Sequence, residues 1–169
     1  GVRIATWNVN SIRARAERIG AWLDRSDADV LAIQELKCRD DQFPREVFDS
    51  RGYEVAFHGL NQWNGVAIAS RVGLADVEIG FPDVPGFGES ADVEARAISA
   101  DCDGVRVHSV YVPNGRELDH PHYVYKLTWL EALRAEVART LADSPEAPLV
   151  LCGDFNVAPE DDDVWDMAE

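Results

Sequence analysis

The sequence predicts an α/β fold in which helices cover sheets of mixed strand direction. Three observations carry that reading. Short unbroken apolar runs such as Val30–Ile33 and Leu149–Cys152 suit strands buried on both faces. Two longer stretches, one from Ile12 and one from Tyr123, repeat apolar residues at helical spacing. The remaining strand candidates follow one another with no helix between them, which favours mixed sheets over strict β–α alternation. At 169 residues the chain has room for one domain with a substantial core, and not for two comfortable ones.

Taken in order, Arg3–Trp7 has strand composition and runs into the turn-like cluster Asn8-Val9-Asn10-Ser11. Ile12, Ala16, Ile19 and Leu23 then define a helix with arginines and Glu17 between them, and Asp27–Asp29 ends it. Val30–Ile33 is a buried strand that stops at Gln34-Glu35. A polar segment containing Pro44 leads to strands at Tyr53–Phe57 and Val66–Ala69. Asp76–Ser90, rich in Gly and Pro, is expected to be a loop. Strands follow at Arg96–Ala100 and Val105–Val112. Leu130, Leu133, Val137 and Leu141 mark an amphipathic helix over Tyr123–Leu141, closed by Ser144–Pro148. Leu149–Cys152 is the last buried strand, ahead of Gly153-Asp154-Phe155-Asn156.

The net charge of −15 argues against a generic nucleic-acid binder, since affinity for DNA comes largely from cations that neutralise phosphates. Lys37 and Lys126 are the only lysines; arginine supplies the rest of the positive charge. An acidic enzyme can still hold DNA through a local basic groove and bound metal ions. Much of the acid lies at Glu160–Asp163 and beyond, where a solvated surface is expected. Cys38, Cys102 and Cys152 are too few and too scattered for a disulfide framework or a zinc site. They fit a reduced, cytoplasmic setting. No apolar run reaches the roughly 18–20 residues that span a bilayer, so no membrane association is expected.

The chemistry gathers where strands end. Asn8 and Asn10, Glu35, Tyr111 to Asn114, and Asp154 with Asn156 each follow an apolar strand that has no need of them. Loops beyond strand ends project side chains from a rigid platform, and ligands collect there in open α/β sheets. Carboxylate and amide oxygens without clustered His or Cys suit Mg²⁺, with Mn²⁺ possible, better than zinc. Each residue also has a plainer role. Glu35 can be the first solvated residue after a strand, Asn8, Asn10, Asp154 and Asn156 can be turn formers, and Tyr111 can be half-core. It is the repetition at several strand ends that favours a site. His120-Pro121-His122 lacks further ligands and reads as surface. His58 and His108 read as structural or exposed, and no G-x-S-x-G is present.

These residues fall in recognisable wording. Thr6–Arg13 and Asp29–Lys37 resemble the first two signatures of the endonuclease/exonuclease/phosphatase superfamily. Trp63–Ile68, Tyr111–Gly115 and Gly153–Pro159 are similar, more narrowly, to the exodeoxyribonuclease III and abasic-site endonuclease family. Leu36, where Thr is common, is a small departure. The resemblance implies a four-layer α/β sandwich with mixed sheets. It implies Asn8 and Glu35 as metal-site residues, and Tyr111, Asp154 and Asn156 as catalytic residues at the scissile phosphate. Arg96, Asn114, Asn64 and Trp63 would contact substrate. It further implies a monomeric Mg²⁺-dependent DNA repair phosphodiesterase acting on duplex DNA at abasic sites and 3′ ends.

Members of the family continue past the equivalent of Glu169 with an Arg-Ile-Asp strand and a Ser-Asp-His segment. The chain over 1–169 is therefore expected to be a C-terminally incomplete single domain that lacks most strands of the second sheet. Apolar faces would be left exposed, and nuclease activity would be little or none. Two alternatives stay open: another superfamily phosphodiesterase, such as a phosphoinositide phosphatase or a DNase I-like nuclease, or a non-catalytic DNA-binding fragment.

Overall fold

A computed structural model describes residues 1–87, 92–115 and 120–156. The strands are β1 (Ile4–Asn8), β2 (Val30–Gln34), β3 (Glu54–His58), β4 (Val66–Ser70), β5 (Ala75–Ile79), β6 (Ala97–Cys102), β7 (Val105–Tyr111) and β8 (Leu149–Asp154). The α-helices are α1 (Ala16–Arg25), α2 (Glu46–Asp49) and α3 (His120–Asp143), with one 3₁₀ turn at Asp40–Gln42. One sheet has the order β1-β2-β4-β3 and the other β5-β6-β7-β8. Both are mixed: β1–β2 and β7–β8 pair parallel, while the other pairs are antiparallel.

Alternation along the strands builds four layers. In the first sheet Leu31, Ile33, Ala67 and Ala69 face Ile19, Trp22 and Leu23 of α1 and Phe48 of α2. Their neighbours Val30, Ala32, Val66 and Ile68 face the second sheet, meeting Ile98, Ala100, Cys102, Val107 and Cys152. The far side of that sheet, through Ala97 and Val110, packs on Tyr125, Trp129 and Leu133 of α3. Those three recur every four residues along α3, so they form one buried stripe. The cysteines are buried and free, acting as small hydrophobes. Between the sheets the buried Gln34 amide donates to Thr6 Oγ1 (3.0 Å) and to Ser109 Oγ (3.1 Å). Ser109 in turn donates to the Ile33 carbonyl at 2.9 Å. This polar staple fixes how the two sheets sit beneath Glu35.

Turn chemistry sets the β6–β7 hairpin. Asp103 and Gly104 both have positive φ (48° and 81°), the pattern a two-residue hairpin turn with right-handed strand twist requires.

Three expectations need correction. Asp76–Ser90 is not all loop, because β5 occupies its start and pairs with β6 around a bulge between Ala75 and Glu78. As an edge strand with Asp76, Val77 and Ile79 exposed, β5 lacks the apolar alternation that marks a half-buried strand. The histidines His120 and His122 belong to the first turn of α3 rather than to a preceding loop, with Pro121 tolerated there because first-turn N–H groups have no helical partner. The second sheet is not largely missing, since four of its strands are formed. The apolar surface left open lies at the β8 edge instead, where Leu130, Leu141, Leu151 and Phe155 help to line a cleft of about 420 Å³. Among the described residues no helix is long and apolar enough to cross a membrane.

Candidate active site

The polar strand ends converge. In register, Asn8 pairs Gln34 at the end of β1–β2, and Tyr111 pairs Asp154 at the end of β7–β8. The side-chain nitrogen of Asn8 donates to Glu35 Oε1 (3.0 Å) and to Asp154 Oδ2 (2.7 Å), joining residues 146 positions apart. Its Oδ1 accepts the Asn10 N–H at 3.0 Å, and Asn10 Oδ1 accepts from Lys37 Nζ at 2.6 Å.

Glu35 follows β2 with φ of 62°, a left-handed conformation that costs a non-glycine residue about 1–2 kcal/mol. Neighbouring loops hold it there. Ser11 N donates to Glu35 O, Leu36 N to Gly65 O and Lys37 N to Asn64 O. The carboxylate accepts from Tyr111 O–H (3.1 Å) and pairs with Lys37 Nζ (3.0 Å). A glutamate serving only as the first solvated residue after a strand needs neither the strain nor these partners. Burial, followed by the Glu35 charge, pushes the Tyr111 phenol up to about 12, so it remains a proton donor near neutrality.

Asp154 reaches this point because Gly153 precedes it. A Cβ at Gly153 would lie 2.1 Å from the Val110 carbonyl, so only glycine lets β8 run this close to β7. Asp154 Oδ1 accepts the Asn156 N–H at 2.8 Å, which fixes the carboxylate in a short turn. The Asn156 amide donates to the Val112 carbonyl, and its own carbonyl accepts from Lys126 Nζ at 3.0 Å. Asn156 thus braces the ends of β7 and β8.

The expected substrate-contacting residues line an adjoining cavity of about 450 Å³. Arg96 donates from Nε to Glu94 Oε1 (2.9 Å) and from Nη1 to the Tyr111 carbonyl (3.0 Å). Its guanidinium lies 5.0 Å from the centre of the Tyr111 ring. Asn64, buried and with φ of 58°, donates to Glu94 Oε2 at 3.1 Å. Trp63 stands at the rim, 61% exposed, and the exposed Asn114 lies on the same wall. His122, expected at the surface, also lines this cavity and stacks on Phe87 at 4.7 Å.

Sequence reasoning passed over Lys37, Glu94 and Tyr125, which share this cavity. Lys37 closes the family-like segment Asp29–Lys37 two residues after Glu35, and Glu94 sits two before Arg96 with opposite charge, so both spacings are readable in the sequence. Tyr125 gave none, because it lies in the core stripe of α3.

A larger cavity, about 660 Å³, lies toward the start of β7 beneath the C-terminal half of α3. It is crossed by the ion pairs Arg106–Asp101 and Arg139–Glu136, and none of the polar strand-end residues lines it.

Among the described residues no three His, Cys, Asp or Glu side chains group as a metal site. Mg²⁺ does not require such a group, because one or two carboxylates with water and phosphate suffice. Glu35, Asp154 and the amide of Asn8 form an all-oxygen donor set of that kind. The Asn8 amide nitrogen now lies against both carboxylates; ligation through its oxygen would require the amide to turn over.

A family model described as Endonuclease/Exonuclease/phosphatase family matches residues 5–169. The chain is 28% identical over 169 residues to Exodeoxyribonuclease III of Haemophilus influenzae, covering 96% of this chain and 60% of that protein. It is similar to a 3′ phosphatase from Neisseria solved with a product DNA hairpin, at TM-score 0.85 and 38% identity, covering 95% of this chain and 60% of the other. An AP endonuclease from Archaeoglobus fulgidus matches at TM-score 0.83 and 41% identity, with coverage of 95% and 59%. The chain thus spans about three fifths of the length of these proteins.

Proposed function

The chain belongs to the endonuclease/exonuclease/phosphatase family, and from that premise we propose that it carries the metal-binding and water-activating side of a DNA phosphodiesterase site. The reaction would be hydrolysis on the 5′ side of abasic sites, with removal of nucleotides or phosphate from 3′ ends. One observation carries the reading: a single Asn8 amide bridges Glu35 and Asp154, so the two carboxylates that the sequence marks meet at one point.

A phosphodiester resists attack because its oxygens are negative and its alkoxide leaves poorly. A divalent cation held by Glu35 and Asn8, with Mg²⁺ as the proposed ion, would neutralise that charge when bound. Asp154, oriented by Asn156 N–H, takes the proton from the attacking water as the new P–O bond forms and the bond to the leaving oxygen breaks. Arg96 supplies a donor to a phosphate oxygen, and the Tyr111 O–H, which donates to Glu35 in the free site, would turn to another when substrate binds. Duplex recognition then rests on phosphate contacts and shape, with exposed Trp63 at the groove. The 169-residue chain spans about three fifths of the length of its relatives, and cleavage by it alone is proposed to be weak.

The purified chain, mixed with labelled duplexes with and without one abasic site, is expected to bind the abasic duplex better when Mg²⁺ is present, with at most trace nicking. Binding indifferent to Mg²⁺ and to Glu35→Ala would favour a plain DNA-binding fragment. Hydrolysis of a phosphoinositide but not of DNA would favour the lipid-directed alternative. Robust Mg²⁺-dependent nicking would refute the proposed weakness.

A further inference from the structure

We propose that Glu94 is the positioning residue of this site: it holds Arg96 and Asn64 in the orientation that presents them to a DNA phosphate, and acts through Arg96 on Tyr111. The inference rests on the functional reading above. Glu94 lies outside every strand and helix, three residues before β6, yet its carboxylate accepts three side-chain donors. Arg96 Nε reaches Oε1 at 2.9 Å, Tyr125 O–H reaches Oε1 at 2.8 Å, and Asn64 Nδ2 reaches Oε2 at 3.1 Å. Those donors come from three separate parts of the fold, namely the lead-in to β6, helix α3 and the loop before β4.

Two features argue that this is more than packing. A guanidinium gripped at Nε has its remaining nitrogens aimed, and Nη1 of Arg96 is spent on the Tyr111 carbonyl. Nη2 is then the guanidinium nitrogen held for a phosphate oxygen, with little rotamer freedom left to lose. Asn64 has a left-handed backbone at the edge of the same cavity, a strain that repays fixing its amide. Burial alone would raise the Glu94 carboxyl, but Arg96 and the hydrogen bonds from Arg96, Tyr125 and Asn64 outweigh it and hold the group below its ordinary value. Glu94 is therefore a charged anchor at neutral pH. The chain of contact runs Glu94 to Arg96, Arg96 to the Tyr111 main chain and ring, and Tyr111 O–H to Glu35. Displacing Arg96 would loosen the donor beside the carboxylate proposed to hold the cation.

The test is a double-mutant cycle on the 169-residue chain. Affinity for a fluorescein-labelled abasic duplex is read by anisotropy, with Ca²⁺ replacing Mg²⁺ to suppress turnover. Glu94→Gln should weaken binding about tenfold, the size of one charge-assisted hydrogen bond. The loss should vanish in an Arg96→Ala background, because the two residues act as a unit. Tyr125→Phe removes one donor to Glu94 but leaves the Arg96 and Asn64 contacts in place, so it should cost clearly less than Glu94→Gln. The proposal is overturned if Glu94→Gln binds like wild type, if its loss adds in full to that of Arg96→Ala, or if Tyr125→Phe reproduces it, which would mark Glu94 as an anchor for α3 alone. Absence of Mg²⁺- or Ca²⁺-dependent binding by the wild type would sink the functional reading instead. The grip itself is then decided by nuclear magnetic resonance. Arg96 Nε–H should give a resonance protected from exchange that Glu94→Gln removes, and an unprotected wild-type signal overturns the proposal.

Discussion

Replacing Asn8 by Asp tests the electrostatics of the site without changing its shape. The amide now contributes two hydrogen bonds to carboxylates, at 3.0 and 2.7 Å. In Asn8→Asp a third carboxylate stands in their place. Two unit charges 4 Å apart repel by about 4 kcal/mol at the effective dielectric of a protein surface, and there are two such pairs. The cluster escapes most of this by taking up one proton. Paying for that proton at pH 7, against an ordinary carboxyl near 4, costs about 4 kcal/mol and sets the ceiling. The folded variant then carries more protons than its unfolded chain, so its stability rises as pH falls toward 4. Urea unfolding should therefore show Asn8→Asp about 3–4 kcal/mol less stable than wild type at pH 7, with the gap narrowing at pH 5. It should narrow again when Mg²⁺ is added at pH 7, because a cation replaces the lost positive charge. An unchanged midpoint at pH 7, or a deficit indifferent to both acid and Mg²⁺, would show that these oxygens do not share one small volume.

Two further outcomes follow from the same geometry. Burial, helped by the Arg106 charge and opposed by Glu136, lowers His108 to about 4 from 6.5, so the unfolded chain binds the extra proton between those values. Stability should fall as pH drops below about 6.5, by about 3 kcal/mol at pH 4, and His108→Phe should remove that part of the slope; a variant as acid-sensitive as wild type would contradict it. Gly153→Ala should destabilise by about 3 kcal/mol, since the new methyl meets the Val110 carbonyl, and should also weaken divalent-cation binding by shifting Asp154. Loss of stability with unaltered cation affinity would separate the strand contact from the site.

Much of the fold was legible because apolar runs and stripes leave a plain mark. β2 read as an unbroken apolar run and is buried throughout, and α3 read as a stripe containing Leu133 and Val137. β8 read the same way as β2, but it is the edge strand of its sheet and buries only Cys152, because no further strand covers its outer side among the described residues. The elements that escaped are those whose residues face water. β5 pairs along an exposed edge, and α2 is a single turn that buries Phe48 alone. Strand-end polar residues were visible because β2 and β8 change so abruptly from apolar to polar. Which of them touch was not, since the Asn8–Asp154 contact depends on how two sheets are stacked, and local sequence says nothing of that. Asn156 illustrates the limit: its amide is engaged by Val112, a main-chain partner that no side-chain pattern reveals.

Cation binding decides the account most directly. Titration of the chain with Mn²⁺, followed by electron paramagnetic resonance, should show one site that Mg²⁺ displaces. Glu35→Gln should weaken that site by a factor of ten or more, about 1.4 kcal/mol or above, as expected when a ligating carboxylate loses its charge. Equal Mn²⁺ affinity in wild type and Glu35→Gln would contradict it.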